Sequence, residues 1–258
     1  VDMFNHYKAI EGDIFGISCF SANRRGVLAL AILIRAVHPG AVIVVGGPNA
    51  TVMPETLLRY CTEVDLAVIG EGEETFSEIV KRRQQGADLR NIEGTAWIDD
   101  GVFHKAQPRP RITELDSLVC VHDYFPSRIV ITSRGCPSEC TFCSSKRLWQ
   151  RRVTMNSVPY VLDLLDKAVN QHGLKIISFK DETFTLNRRR IMELCNGIIE
   201  RGLNFVWSCD TRIDRLDEEL LRIMRLAGCQ RLSVGVESAD PRILENIKKN
   251  IDPEDVVK

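Results

Sequence analysis

The run Ala41-Val42-Ile43-Val44-Val45-Gly46-Gly47-Pro48 decides the architecture of the first half of the chain. Five apolar, mostly β-branched residues leave no polar face, as expected of an interior strand in a parallel sheet covered on both sides. Upstream, the stretch from Arg24 to Val37 carries Val27, Leu30, Ala31, Ile34 and Val37 at helical spacing, and Pro39-Gly40 stops it. Before that helix, Asp13-Ile14-Phe15-Gly16-Ile17-Ser18 reads as a buried strand. Downstream, a helix is expected over 54–60, a strand over 66–69 and a further helix over 74–85, opened by Gly70-Glu71-Gly72-Glu73. This alternation predicts a doubly wound parallel sheet.

From Ile92 the rhythm changes. Thr95-Ala96-Trp97-Ile98 and Val102-Phe103-His104 flank Asp99-Asp100-Gly101, a hairpin signal. The proline-rich Gln107-Pro108-Arg109-Pro110-Arg111 then opens a linker. The expected division is a first domain over 1–106, a linker over 107–127 and a second domain over 128–258. In the second domain, strands are expected at 129–132, 175–179, 205–208 and 231–236, and helices at 158–171, 188–201, 217–227 and 241–249. Four strand–helix units in sequence predict a partial barrel, whose chemistry sits in the loops after the strands. The chain begins at Val1 and stops at Lys258 in a charged segment, so both domains read as incomplete at their outer ends.

After the first barrel strand comes Ser133-Arg134-Gly135-Cys136-Pro137-Ser138-Glu139-Cys140-Thr141-Phe142-Cys143. Three thiols on a strand-end loop suit a soft metal, an iron–sulfur cluster above all. A zinc site without an evident fourth ligand and a chance cluster of reduced thiols are the alternatives. Polar residues recur after the next three strands: Asp181-Glu182, then Asp210 and Arg212, then Glu237-Ser238. Core packing does not require four consecutive loops to offer polar groups to one rim.

The bulk properties narrow the classes. A net charge of −1 without basic blocks argues against nucleic acid as a partner, and no apolar run is long enough for a membrane span. No signal peptide is visible. Nine cysteines without a small-domain disulfide pattern fit a reducing cytoplasm. Cys195 falls in a helical apolar pattern and reads as core, as do Cys19 and Cys209 at strand ends.

The cysteine spacing, with Phe142 before the last thiol, resembles that of the radical S-adenosylmethionine (radical SAM) enzymes. The words Gly16-Ile17-Ser18-Cys19-Phe20, Val45-Gly46-Gly47-Pro48, Ile69-Gly70-Glu71-Gly72-Glu73, Phe179-Lys180-Asp181-Glu182-Thr183-Phe184 and Val234-Gly235-Val236-Glu237-Ser238 resemble the subgroup with an N-terminal cobalamin-binding domain. The resemblance implies a Rossmann-like cobalamin-binding domain followed by a partial radical SAM barrel. It implies that Cys136, Cys140 and Cys143 hold a [4Fe–4S] cluster and leave one iron to S-adenosylmethionine. Phe142, Asp181, Glu182, Arg212, Glu237 and Ser238 match positions that contact S-adenosylmethionine. The bland alternatives are helix capping for Asp181-Glu182, rim ion pairing for Arg212 and loop capping for Glu237-Ser238. Ser18, Gly46, Gly47, Gly70 and Gly72 match the cobalamin-contacting words, or else simply turn the chain at strand ends. His6 lacks the motif of a lower cobalt ligand, and Asn49 stands where many relatives carry histidine. The implied activity is methyl transfer to unactivated carbon or phosphorus of a small molecule, with an external flavodoxin- or ferredoxin-type electron donor. Ring closure of the tetrapyrrole-cyclase type is the nearest alternative, and a non-enzymatic cobalamin or cluster sensor is a third.

Overall fold

Apolar alternation in the first hundred residues becomes a five-stranded sheet in the computed structural model, which describes residues 8–252 and 254. His6 lies outside the described residues. Strands β1 (Ile14–Ser18), β2 (Val42–Gly46) and β3 (Leu66–Val68) run parallel, with Ser18 opposite Gly46 at the top of the first pair. The sheet continues antiparallel through β4 (Thr95–Asp99) and β5 (Val102–Lys105) in the order β1-β2-β3-β4-β5. Asp100 and Gly101 both take positive φ, 47° and 78°, in the two-residue turn that matches strand twist.

Helices cover both faces. Ile43, Val45 and Ala67 pack with Val27, Ala31 and Ile34 of α1 (Arg24–Val37) and with Leu57 and Leu58. The latter pair belongs to α3 (Pro54–Tyr60), which follows the short α2 (Pro48–Val52). Val42, Val44, Leu66 and Val68 pack on the other face with Ile79 of α4 (Glu73–Gln84) and Ile92. Each such large aliphatic side chain contributes roughly 1.5–3 kcal/mol when fully buried. The four residues of β2 that looked apolar on both faces are therefore buried on both faces.

The chain divides into units between Ile112 and Thr113. The first part of the proline-rich stretch belongs to the first unit: Arg109 pairs with Glu78 and donates to Thr75 Oγ1 at 2.9 Å, and Ile112 N–H donates to Glu71 Oε2 at 2.9 Å. Residues after it belong to the second unit, where Asp116 accepts from Asn156 Nδ2 at 2.9 Å and from Ser157 N–H at 3.0 Å. The expected linker is thus hydrogen-bonded at both ends.

The second unit is a four-stranded parallel sheet in the order β11-β10-β9-β6, made by β6 (Ile129–Val130), β9 (Ile176–Phe179), β10 (Val206–Thr211) and β11 (Cys229–Val234). A small antiparallel pair, β7 (Ser133–Arg134) with β8 (Thr154–Met155), flanks the helix α5 (Ser145–Trp149). Helices α6 (Val158–Asp166), α7 (Arg188–Glu200), α8 (Glu218–Leu226) and α9 (Pro241–Asn246) complete the unit. α6 widens into a π turn over Lys167–Gln171, where a single helix was expected.

One face of this sheet is packed. Ile177, Phe179, Trp207 and Cys209 meet Val161, Leu165, Ile191, Leu194 and Ile198 of α6 and α7. Trp207 settles edge-on against Phe179 at 5.3 Å and donates its Nε1–H to Ala227 O at 2.7 Å. The opposite face is open. Across it run Ile129, Ser178, Ser208 and Arg231 in register, and above them Lys180 pairs with Asp210 at 3.0 Å.

Candidate functional site

The expected strand over 129–132 stops pairing at Val130, because the next residues are taken by a carboxylate. Asp181, 1% exposed, receives Thr132 N–H at 3.1 Å, the Thr132 hydroxyl at 2.9 Å and the Ser133 hydroxyl. Burial raises its carboxyl above the ordinary value, while the Ser133 and Thr132 hydrogen bonds and Arg190 pull it back. Arg190, also buried, donates to Asn156 O at 3.1 Å and Thr132 O at 3.2 Å. Together they pin the chain just before the cysteine loop. Asp181 is therefore directed into the protein and does not line the site, unlike Glu182.

The loop then turns at Gly135, whose φ is +92° and where a Cβ would lie 2.0 Å from Arg152 O. Only glycine fits there. Gly135 N–H donates to Glu182 Oε2 at 3.0 Å, so the next strand's loop orients the turn. Cys136, Cys140 and Cys143 all line one cavity of about 90 Å³, together with Phe142, Glu182, Thr183, Arg212 and Lys249. Ser138, Ser145 and Lys146 complete its wall.

Each thiol has a neighbour. Cys136 Sγ lies 3.5 Å from Thr183 Oγ1, Ser145 N–H points to Cys143 Sγ at 3.5 Å, and Arg212 Nη1 reaches Cys140 Sγ at 3.6 Å. Arg212 is 7% exposed. Burial works against its charge, but Asp214 and the thiols Cys140 and Cys136 outweigh that and raise its pKa. Its Nε and Nη2 hold Asp214 at 2.8 and 3.2 Å, and Nη2 also reaches Lys249 O at 2.6 Å. The cavity thus carries three soft donors and two buried cations.

This donor set fits a multi-iron cluster. Among the described residues no three His, Cys, Asp or Glu side chains converge as the ligands of one metal ion would. Three thiols spread around a cavity suit a cluster in which each thiolate takes its own iron. A tetrahedral zinc site would need four ligands around one point.

Glu237 and Ser238 stand beyond the cavity wall. Glu237 holds Lys249 Nζ at 3.3 Å from a backbone with φ of 71°. Ser238 Oγ accepts from Asp240 N–H at 3.1 Å. Lys249 was missed by the sequence: an expected helix to 249 would have put it on a surface, but α9 ends at Asn246 and the following turn brings it inward.

In the first unit, Ser18, Gly46, Gly47, Gly70 and Gly72 gather at the carboxyl ends of β1, β2 and β3. A Cβ at Gly47 would meet Cys19 O at 3.0 Å and Ser18 Oγ at 3.1 Å, so that glycine is required by the chain itself. Gly70 has nothing within 4 Å of a Cβ position, leaving its backbone accessible to a large ligand. Gly70 N–H is held by Thr51 Oγ1 at 3.0 Å, which in turn donates to Gly47 O at 3.0 Å. The open backbone along this sheet edge fits a flat, bulky cofactor. Among the remaining thiols, Cys19 adjoins the glycine words but is fully buried, Cys209 is also buried, and burial pushes Cys195 up to about 12.

Residues 130–258 match the family model of the radical SAM superfamily, and residues 2–80 match that of the B12 binding domain. The chain is 33% identical over 264 residues to the uncharacterized methyltransferase PH0819 of Pyrococcus horikoshii, covering 98% of this chain and 58% of that protein. It is 32% identical over 222 residues to the anaerobic magnesium-protoporphyrin IX monomethyl ester cyclase of Cereibacter sphaeroides, covering 79% of this chain and 36% of the relative. Among solved structures, the radical S-adenosylmethionine methyltransferase TsrM from Kitasatospora setae, with cobalamin and [4Fe–4S] cluster bound, shares the fold with a TM-score of 0.79 at 17% identity. That match covers 98% of this chain and 56% of TsrM. The chain spans 58% or less of the length of these relatives.

Proposed function

The chain belongs to the radical SAM superfamily, and on that premise we propose that it acts as a cobalamin-dependent radical SAM methyltransferase on a small molecule. The observation that carries this is the single cavity shared by three cysteines, Glu182 and two buried cations, on a chain whose first unit matches a B12 binding domain. When bound, the cluster supplies the electron that cleaves S-adenosylmethionine to methionine and a 5′-deoxyadenosyl radical, and cobalamin supplies methyl-carrying chemistry.

The chain's own residues would do the holding and orienting. Cys136, Cys140 and Cys143 would bind three irons, and Arg212 steadies Cys140. Glu182 uses one oxygen on Gly135 and has the charge to hold an ammonium. Arg212 spends Nε and Nη2 on Asp214 and Lys249 O and one Nη1 proton on Cys140, so the second Nη1 proton would be the donor for a carboxylate. A ribose contact would use Glu237 Oε2 or the Ser238 O–H, since Lys249 takes Glu237 Oε1 and the Asp240 amide takes a Ser238 lone pair. Phe142, half-exposed at the cavity, would border the adenine. Asp181 acts as an anchor in this scheme. The open sheet face with Ile129, Ser178, Ser208 and the Lys180–Asp210 pair would meet the substrate. In the first unit, Ser18, Gly46, Gly47, Gly70 and Gly72 would border cobalamin.

The electron donor would be a flavodoxin or ferredoxin, in a reducing compartment such as the cytoplasm. Among the described residues no helix is long and apolar enough to cross a membrane.

Anaerobic reconstitution of the full-length protein tests the scheme. A [4Fe–4S] signal that shifts on adding S-adenosylmethionine, 5′-deoxyadenosine on reduction, and transfer of label from the S-adenosylmethionine methyl group to a product are expected. Absence of 5′-deoxyadenosine from loaded, reduced protein overturns the enzyme assignment. The 32% identity to a tetrapyrrole ring cyclase favours a second reading. In that case 5′-deoxyadenosine forms and the product carries no label.

A further inference from the structure

Lys249 is a charged side chain only 6% exposed, which is rare for lysine unless it is paired. Among the described residues its one ion pair is to Glu237 Oε1 at 3.3 Å, and its ammonium lies 5.9 Å from the centre of the Phe142 ring. Flanking it, Lys248 and Asn250 take positive φ, 53° and 50°, a conformation uncommon outside glycine. The turn is fastened by contacts on both sides. Lys249 O accepts from Arg212 Nη2 at 2.6 Å, and Ile247 O accepts from Thr141 N–H, inside the cysteine loop, at 2.9 Å. A segment remote in sequence is thus locked onto the loop, with Lys249 among the residues lining the cavity.

The two buried cations there differ in how far they are neutralised. The Arg212 guanidinium faces both oxygens of Asp214. Lys249 has one longer contact with a carboxylate that is itself 36% exposed. Its charge is the less compensated, and it sits where three thiolates would gather negative charge. Potentials of iron–sulfur clusters follow net charge, hydrogen bonds to sulfur and exposure to solvent. A cation held in a water-poor wall favours the reduced, more negative cluster over the oxidised one.

We propose that Lys249, oriented by Glu237, is a positioning residue that raises the reduction potential of the cluster held by Cys136, Cys140 and Cys143. The proposal rests on the cluster assignment above. It concerns a one-electron couple whose electron comes from the external reductant, and no bond forms to Lys249.

The test is a dithionite-poised redox titration of the reconstituted full-length protein without S-adenosylmethionine, followed by electron paramagnetic resonance. Lys249→Met should make reduction harder by on the order of tenfold, about 59 mV for one electron. Glu237→Gln should shift the potential the opposite way, because it frees the ammonium from its counter-charge. Lys248→Met, at the exposed neighbour, should leave it unchanged. A Lys249→Met protein that loads iron fully at the wild-type potential overturns the proposal. Should that variant fail to load iron, an unchanged or lowered potential in Glu237→Gln overturns it instead. Wild-type protein that takes up no cluster sinks the underlying assignment, a different result from either.

Discussion

Replacing Asp181 by alanine separates an anchor from a ligand. The carboxylate receives three hydrogen bonds, from Thr132 N–H, the Thr132 hydroxyl and the Ser133 hydroxyl. The Thr132 amide cannot turn away, so its loss of a partner costs about 1–3 kcal/mol, and each rotatable hydroxyl loses about 0.5–1.5 kcal/mol. Removing a carboxyl whose pKa burial has raised returns part of this. The net destabilisation should be about 2–5 kcal/mol. For a unit of this size that lowers Tm by on the order of 10 °C. Cys136 would lose its fixed approach, so iron content after anaerobic reconstitution should fall even without S-adenosylmethionine. Circular dichroism melting and iron and sulfide analysis read both effects. A ligand role predicts the reverse pattern: wild-type Tm and iron content, with only S-adenosylmethionine binding weakened. That outcome would refute the anchoring argument.

Further outcomes follow from neighbouring features. Gly135→Ala places a Cβ 2.0 Å from Arg152 O at φ +92°, and should cost on the order of 3 kcal/mol or more and abolish iron loading; a loaded variant of wild-type Tm contradicts this. Iodoacetamide at pH 8 should modify exposed Cys143 in the metal-free protein and spare Cys195 and Cys61, which burial pushes up to about 12 and about 11; mass spectrometry of the labelled peptides decides. Arg188 holds Asp217 at about 2, below its ordinary value, so the pair stabilises the fold near neutral pH and loses that contribution as pH falls from about 4 towards 2. Asp217→Asn should flatten that part of the acid limb, and an unchanged limb argues against it.

The elements were legible because their periods were strong. Arg24–Val37 and Pro54–Tyr60 fall where the apolar spacing and prolines put them, and β2 lies within one residue of its apolar run. Side-chain direction was harder to read. Asp181 and Glu182 are adjacent, and adjacent residues leaving a strand point opposite ways. Phe179 and Asp181 are buried, Lys180 and Glu182 are exposed, and only Glu182 joins the cysteines at the cavity. Read as one pair, Asp181-Glu182 offers two ligands, whereas strand alternation allows only one of the two to face the cavity. Lys249 left no periodic trace, since its burial depends on a turn held by Arg212 and the cysteine loop. The proline-rich stretch looked loose because its hydrogen bonds go to Glu71 and Glu78, which no local pattern links to it.

The bond from Thr141 N–H to Ile247 O carries a consequence for how the chain is made. The two residues are separated by about a hundred positions, and at cellular synthesis rates of roughly 5–20 residues per second that gap lasts on the order of 5–20 s. During that interval the nascent chain presents three cysteines whose brace has not yet left the ribosome. Iron delivered then would meet an unfastened loop, and oxidants would meet exposed thiols. Cluster insertion is therefore expected to follow synthesis of the turn at Ile247, whose carbonyl fastens the cysteine loop.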